Sequence, residues 1–296
     1  MKFGGVTNPE LVDFTLPVDH PDTSKVLAKG SGNGKPNIYV GCAKWNRADL
    51  KGFYPRGTKD ELAYYATQFN SIEMNATFYN FYSTEQFETW SNKTPANFKF
   101  FPKINQMISH MKRLNDVERY TEEFCHSLAG LGDKLGVVFL QLHNNFAPKN
   151  WDRLEKYIQS FPSGISLSIE VRHTDWLNDP DVADRFYALL EEHNVANIIT
   201  DTAGRRDLLH MRLTTPSAFV RYVGANHESD YSRLDDWFDR IGLWAEQGIE
   251  DIYFFVHQNL EKASPLLSAH LIKRLNQEMG YDLVVPNQQK TQTSLF

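Results

Sequence analysis

What most constrains this chain is a rhythm that starts near residue 38. Short β-rich runs alternate with longer segments whose apolar residues recur at helical spacing. The runs are IYVGCA (38–43), SIEMNATF (71–78), FKFFPKI (98–104), VVFLQL (137–142), SLSIEV (166–171), ANIITD (196–201), FVRYVG (219–224) and DIYFFVH (251–257). Helical spacing occupies 60–69, 84–92, 117–135, 150–160, 181–194, 232–247 and 263–279. Asp60, Ser83 or Thr84, and Asn150 or Asp152 stand where a helix start needs a side-chain acceptor. Strand alternating with helix points to a parallel sheet, because a parallel pair needs a crossover connection. Eight such units predict an α/β fold, a single (β/α)8 TIM-like barrel. The shortest interval follows the sixth run, so its helix is expected to be stunted, over 205–211. A doubly wound open sheet is the alternative.

Side-chain parity favours the barrel. Leu167, Ile169 and Val171 face one way, while Ser166, Ser168, Glu170 and Arg172 face the other. Ile72 and Met74 likewise oppose Ser71, Glu73 and Asn75. An open sheet covered on both faces tends towards continuous apolar runs instead. At 296 residues the length alone allows two domains. The rhythm reduces this to an N-terminal extension (1–37), a barrel (38–282) and a polar C-terminal tail (283–296). The extension shows no periodicity, and its stretch over 30–36 reads as a flexible approach to the first strand. Its GSGNGKP (30–36) is not a phosphate loop, since Lys29 stands where the first glycine belongs and Pro36 where Ser or Thr belongs.

The net charge of −6 argues against indiscriminate nucleic-acid binding, which needs a basic surface. A hydrophobic content of 41% excludes disorder as the main state. Cys42 and Cys125 form no CxxC pair and fit a reducing compartment. No apolar run approaches a membrane span or a signal-peptide core, so a cytoplasmic location is expected.

Several strings resemble one family: GCAKW (41–45), FYP (53–55), ELAYYATQFNSIEMNATFY (61–79), Trp90 to Pro95, FKFFPKI (98–104), SH (109–110), LGDKLGVVFLQL (131–142), SIEVRHTDW (168–176) and Asp201. In this order, over roughly 38–275, they are similar to the YecE-like family, number 72 among the domains of unknown function. The resemblance implies a TIM barrel and no particular activity. The family's Arg-Leu-His-Gly-like string is here Arg221-Tyr222-Val223-Gly224, without the histidine; its Phe-Asn-Asn tendency is Val256-His257-Gln258-Asn259. His257 and His227 are the candidate substitutes.

Polar groups at the strand ends are Glu73, Asn75, Lys103, Gln141, Glu170, Arg172, Asp201, Arg221, His257 and Asn259. The bland account is a set of internal ion pairs closing the barrel mouth. Buried pairs are costly, however, and ionisable groups converging in a concavity more often mark function. The expectation is therefore an acid/base enzyme of hydrolase or lyase type, acting on a small polar or anionic ligand at the mouth. Glu73, Glu170 and Asp201 form its catalytic set, with Glu73 and Glu170 on opposite sides of the substrate. Lys103, Arg172 and Arg221 bind an anion, Asn75 orients, and Trp45, His110, Gln141, His257 and Asn259 complete the ligand contacts. A glycosidase version adds the rings of Trp45, Tyr79 and Trp176 as sugar platforms. No cofactor is required. A divalent metal held by Glu73, Glu170, Asp201 and His257 is a weaker reading, opposed by three nearby cations. A Schiff-base role for Lys103 would need a depressed pKa. Cys42 reads as core.

The end of the tail, Gln292-Thr293-Ser294-Leu295-Phe296, resembles the peptide by which bacterial replication and repair proteins bind the sliding clamp. The second expectation is thus a clamp-associated nucleic-acid-processing enzyme or accessory protein, with Gln292, Ser294, Leu295 and Phe296 binding the partner. The third is a non-catalytic ligand-binding barrel.

Overall fold

All eight runs form strands in a computed structural model that describes residues 4–32 and 34–287. They are β1 (Asn37–Cys42), β2 (Ser71–Met74), β3 (Lys99–Pro102), β4 (Val138–Gln141), β5 (Leu167–Glu170), β6 (Ala196–Asn197), β7 (Ile199–Thr202), β8 (Ser217–Gly224) and β9 (Asp251–Gln258). The sixth run is split at Ile198: β6 pairs with β5, whereas β7 pairs with β8. Every pairing is parallel. One sheet has the order β3-β2-β1-β9-β8-β7 and the other β4-β5-β6. Parallel bridges Phe100↔Leu135 and Lys103↔Phe139 tie the flank of β3 to β4. At the other junction the chain passes from β6 to β7 through Ile198, whose amide donates to the Ile169 carbonyl at 2.9 Å. The architecture is α/β with parallel sheets.

The helices are α1 (Pro21–Leu27), α2 (Glu61–Tyr65), α3 (Ala76–Tyr79), α4 (Thr84–Asn92), α5 (Glu118–Ser127), α6 (Trp151–Ser160), α7 (Asp175–Asn178), α8 (Pro180–Glu192), α9 (Ser229–Glu246) and α10 (Ser264–Met279). Asp60 caps α2 by accepting from the Ala63 amide at 3.0 Å, and Ser83 caps α4 from Gln86 at 3.4 Å. Asn150 does not cap α6; its side-chain amide donates to the Ala147 carbonyl at 3.2 Å. The stunted sixth connection is a 3-10 helix over Ala203–Leu208. Among the described residues no helix is long and apolar enough to cross a membrane.

Alternation sorts the strand side chains into two cores. Ile72, Met74, Leu167, Ile169 and Val171 pack outward against the helices. Phe101, Phe139, Ile198, Phe219 and Phe255 pack inward, joined by Tyr39 and Tyr253. Their rings meet across strands: Phe101 and Phe255 have centroids 4.9 Å apart, Phe139 and Phe219 5.4 Å. Two residues further along the same faces stand Lys103, Gln141, Arg221 and His257. An aromatic floor thus carries a polar layer at the C-terminal ends of the strands.

The N-terminal extension, aperiodic in sequence, packs against the rest of the chain. Thr23, Val26 and Leu27 of α1 are buried, and Thr23 Oγ1 donates to the Met211 carbonyl at 2.9 Å. Asp19 accepts from Trp244 Nε1 at 3.0 Å and pairs with Arg240 at 2.5 Å. Its polar residues are spent on long-range hydrogen bonds, which local periodicity does not register. At the other end, Leu283 exchanges two hydrogen bonds with the Asn276 side chain, at 2.8 and 3.0 Å.

Candidate functional site

Three strands bring Glu73 (end of β2), Glu170 (end of β5) and Arg221 (β8) together. Arg221 donates through Nε and Nη2 to the two oxygens of Glu73, at 2.9 and 2.8 Å. Its Nη1 donates to Glu170 Oε2 at 2.6 Å. Glu170 also accepts from Gln141 Nε2 at 3.0 Å and from Arg172 Nε. Glu73 also accepts from Asn75 Nδ2 at 2.8 Å, and His257 Nε2 lies 2.9 Å from its Oε2. Both carboxylates are almost wholly buried, as is Arg221. Burial alone would push Glu73 up, but Arg221 and His257 outweigh it and hold the carboxyl well below the usual range. Burial is likewise outweighed at Glu170, by Arg172 and then Arg221. The Arg221 guanidinium is driven above its ordinary value because Glu170 and Glu73 overcome its burial. Both glutamates are therefore ionised and saturated with donors.

Lys103 differs. The residue is only 7% exposed; its ammonium donates to the neutral Gln141 Oε1 at 3.0 Å and sits 4.2 Å from the centre of the Phe78 ring. Among the described residues no carboxylate forms an ion pair with it. Burial, and then the Arg221 charge, lower its pKa to about 7. Above this layer opens a cavity of about 670 Å3, whose wall includes Lys103, Gln141, Arg172, Arg221, His257 and Asn259. Its rim adds Lys44, Lys51 and Lys262 against Asp49 and Glu261.

Of the residues expected at the site, Glu73, Asn75, Lys103, Gln141, Glu170, Arg172, Arg221, His257 and Asn259 converge here or line the cavity. Asp201 does not. It shares the parity of the outward Ile199 and faces α9, where Oδ2 accepts from Trp237 Nε1 at 2.8 Å and Oδ1 pairs with Arg233 at 2.9 Å and with Arg206. These two arginines also lie over the Phe14 ring, so Asp201 anchors the N-terminal segment. The picture of Glu73 and Glu170 flanking a substrate also changes, because the Arg221 guanidinium bridges them.

The sugar-platform rings are elsewhere. Trp176 is core, donating to the Phe146 carbonyl at 2.7 Å; Trp45 packs edge-on against Trp90; Tyr79 is exposed and outside the cavity lining. His110 is half-buried between Phe78 and His143, off the cavity wall, and its pKa falls to about 4 through burial and then the Lys103 charge. Of the two substitute histidines, His257 belongs to the site. It stands in register beside Val223, where the resemblance led one to look for a histidine. His227 sits at the start of α9, with Nδ1 3.0 Å from Ser229 Oγ. With Asp201 directed outward, the four-ligand metal set does not assemble, and among the described residues no three His, Cys, Asp or Glu converge to hold an ion. Gln292, Ser294, Leu295 and Phe296 lie outside the described residues.

Sequence reasoning missed Gln258. Its Nε2 donates to Asp230 Oδ2 at 3.2 Å, while its buried Oε1 has no partner and the residue lines the cavity. Gly224 makes room for that amide, since a Cβ there would lie 2.4 Å from Gln258 Nε2. Gln258 has the outward parity of Val256, so alternation gave no hint of it.

The family model described as "Protein of unknown function DUF72" matches residues 39–292. The chain is similar to the UPF0759 protein YecE of Escherichia coli (strain K12), 25% identical over 284 residues that cover 88% of this chain and 100% of that one. Similarity to the UPF0759 protein YunF of Bacillus subtilis (strain 168) is 26% over 152 residues, 48% of this chain and 53% of YunF. Among solved structures, a DUF72 family protein from Enterococcus faecalis V583 superposes with a TM-score of 0.69 at 21% identity, covering 85% of this chain and 99% of its own. Another from Thermotoga maritima MSB8 gives a TM-score of 0.69 at 25% identity, covering 81% and 100%.

Proposed function

Because the chain belongs to the DUF72 family, whose description assigns no chemistry, we propose its function from its own side chains: an acid/base enzyme that binds a small anionic ligand at the strand ends. In this reading the two sheets form one (β/α)8 barrel with the site at its C-terminal mouth. The aromatic interior they share, the bridges from β3 to β4 and the continuity through Ile198 support closure.

One observation carries the ligand class. The buried layer holds three basic side chains, Lys103, Arg172 and Arg221, against two carboxylates, and both carboxylates are bound by the arginines. The Lys103 ammonium is left with a neutral amide, and an isolated buried charge is costly. A ligand carboxylate or phosphate set against Arg172 and Arg221 answers this cationic wall, and Lys103 beside it escapes its cost by meeting that charge or by shedding its proton. Glu73 and Glu170 then act as counter-ions and positioning groups rather than as the acid and the base. The proton-transfer group is His257: Glu73 holds its Nε2 and leaves Nδ1 to move a proton, the arrangement by which a carboxylate orients a catalytic imidazole.

Thermal unfolding in the presence of lactate, inorganic phosphate or neutral glycerol tests the ligand class. A ligand at about a hundred times its Kd stabilises by about 2.7 kcal/mol, so an anion-specific rise in Tm is expected, reduced in Arg172→Met. Equal responses to the anions and to glycerol would exclude the reading.

A second reading rests on Gln292, Ser294, Leu295 and Phe296, a glutamine followed by a Leu-Phe pair suited to an apolar pocket on a sliding clamp. The full chain is expected to be retained on immobilised clamp and a chain ending at Thr291 to be lost. Equal recovery of both removes the idea.

A further inference from the structure

We propose that Lys103 is a nucleophile towards carbonyl carbon, and that the ligand class of the site is a small 2-oxo acid whose carboxylate is held by Arg172 and Arg221. This deepens the anion-binding reading and rests on it.

The argument begins with what surrounds the amine. Lys103 directly follows β3, on the inward face, and is among the residues lining the 670 Å3 cavity. Its neighbours are the Gln141 amide oxygen and the faces of Phe78 and Phe139, 4.2 and 5.9 Å from Nζ. The two nearby carboxylates are occupied by Arg221, Arg172, Asn75, Gln141 and His257. An amine in such a place is easier to hold neutral than charged, and a neutral amine is the nucleophilic form. The lowered pKa of about 7 agrees with the geometry.

Two guanidiniums share the cavity wall with this amine. Arg221 has five N–H donors: three go to the glutamates from Nε, Nη2 and Nη1, the second Nη2 proton lies on the side where His257 Nε2 is 3.5 Å away, and the second Nη1 proton is left for a ligand. A carboxylate against the arginines directs the adjoining keto carbon at Nζ. Neutral ketones lack this anchor, and simple anions lack the electrophile.

The step balances without oxidant or reductant. The Nζ lone pair forms a bond to the keto carbon while the C=O π pair moves to oxygen. A nitrogen proton passes through His257 to that oxygen, giving a carbinolamine. Protonation of the hydroxyl by His257 lets water leave as the nitrogen lone pair forms the C=N bond, and the remaining nitrogen proton returns to His257, leaving the neutral imine. The sum is amine plus ketone giving imine plus water.

The test incubates the full chain with pyruvate and sodium borohydride near neutral pH, followed by intact-mass and peptide mapping. Expected is one reduced adduct per chain, on the peptide carrying Lys103, absent in Lys103→Met and Lys103→Arg. Acetone, which lacks the carboxylate, should label at least about tenfold more slowly, and Arg172→Met should lower the pyruvate rate by about tenfold, the loss of one charge-assisted hydrogen bond. Lys103→Arg keeps a cation, so its melting curve separates loss of the amine from loss of the fold. Adducts spread over exposed lysines and sparing Lys103 overturn the proposal. Equal labelling by acetone and pyruvate overturns the 2-oxo acid assignment. If lactate raises Tm but pyruvate leaves no adduct, anion binding stands and the imine falls. If neither lactate nor pyruvate has any effect, both fall.

Discussion

Replacing Lys103 with Met removes a charge and keeps a flexible, unbranched stem at a site only 7% exposed. The folded-state pKa is lowered from 10.5 to about 7. Below about pH 7 both folded and unfolded chains hold the proton, and the folded state bears the cost of the buried ammonium. Between about 7 and 10.5 the unfolded chain keeps a proton that the folded one has released, so stability rises with pH by about 1.4 kcal/mol per unit. Over the whole window this reaches on the order of 5 kcal/mol, an upper bound because a buried amine draws in water. The Met variant lacks this slope and differs by a further pH-independent offset of about 1 kcal/mol for the lost Gln141 hydrogen bond. Urea unfolding of both proteins, followed by circular dichroism from about pH 6 to about pH 9, measures the difference while all other titrations cancel. Expected is a Met variant that is relatively most stable at the acid end, with the gap moving by about 2–3 kcal/mol in favour of the parent by pH 9. A difference that stays flat with pH refutes the account of Lys103, and with it the case for a neutral amine.

Arg221→Met leaves two buried carboxylates without their shared partner and should lower stability by about 3–5 kcal/mol in urea unfolding. Adding Glu73→Gln and Glu170→Gln should recover most of that loss; a single variant with the parental urea midpoint contradicts the ion-pair layer. Because the folded-state pKa values of Glu73 and Glu170 are depressed, their contribution is present above the ordinary glutamate range near pH 4 and is lost as pH falls through the lower folded values. An acid unfolding midpoint that does not rise in Arg221→Met would count against it. Asp201→Asn should cost about 2–3 kcal/mol through Arg233 and Arg206 yet leave the lactate-induced Tm shift intact; loss of the shift at unchanged stability would return Asp201 to the site.

Much of this protein follows from local pattern. The eight runs became strands because alternation and β-branched or aromatic content act over a few residues. The inward faces of β2 and β5 were readable for the same reason, with Ile72 and Ile169 opposing Glu73 and Glu170. Parity held the answer for Asp201 too: it lies two residues from Ile199, and Ile199 packs outward. Its acidity at a strand end was a weaker guide than the face it shares.

What local pattern could not contain was partnership across the sheets. That Arg221 bridges Glu73 and Glu170 depends on separations of 148 and 51 residues, and no periodicity measures such distances. The break at Ile198 and the packing of α1 are also long-range outcomes, settled by hydrogen bonds to Ile169 and Met211. Lys103 shows the division most plainly. Sequence placed an amine on the inward face of a strand end. Tertiary structure decided its chemistry, by assigning every nearby carboxylate to another donor and leaving the lysine an amide and two aromatic faces. Charge state is set by the sum of desolvation and neighbouring charges, and that sum exists only once the strands have met.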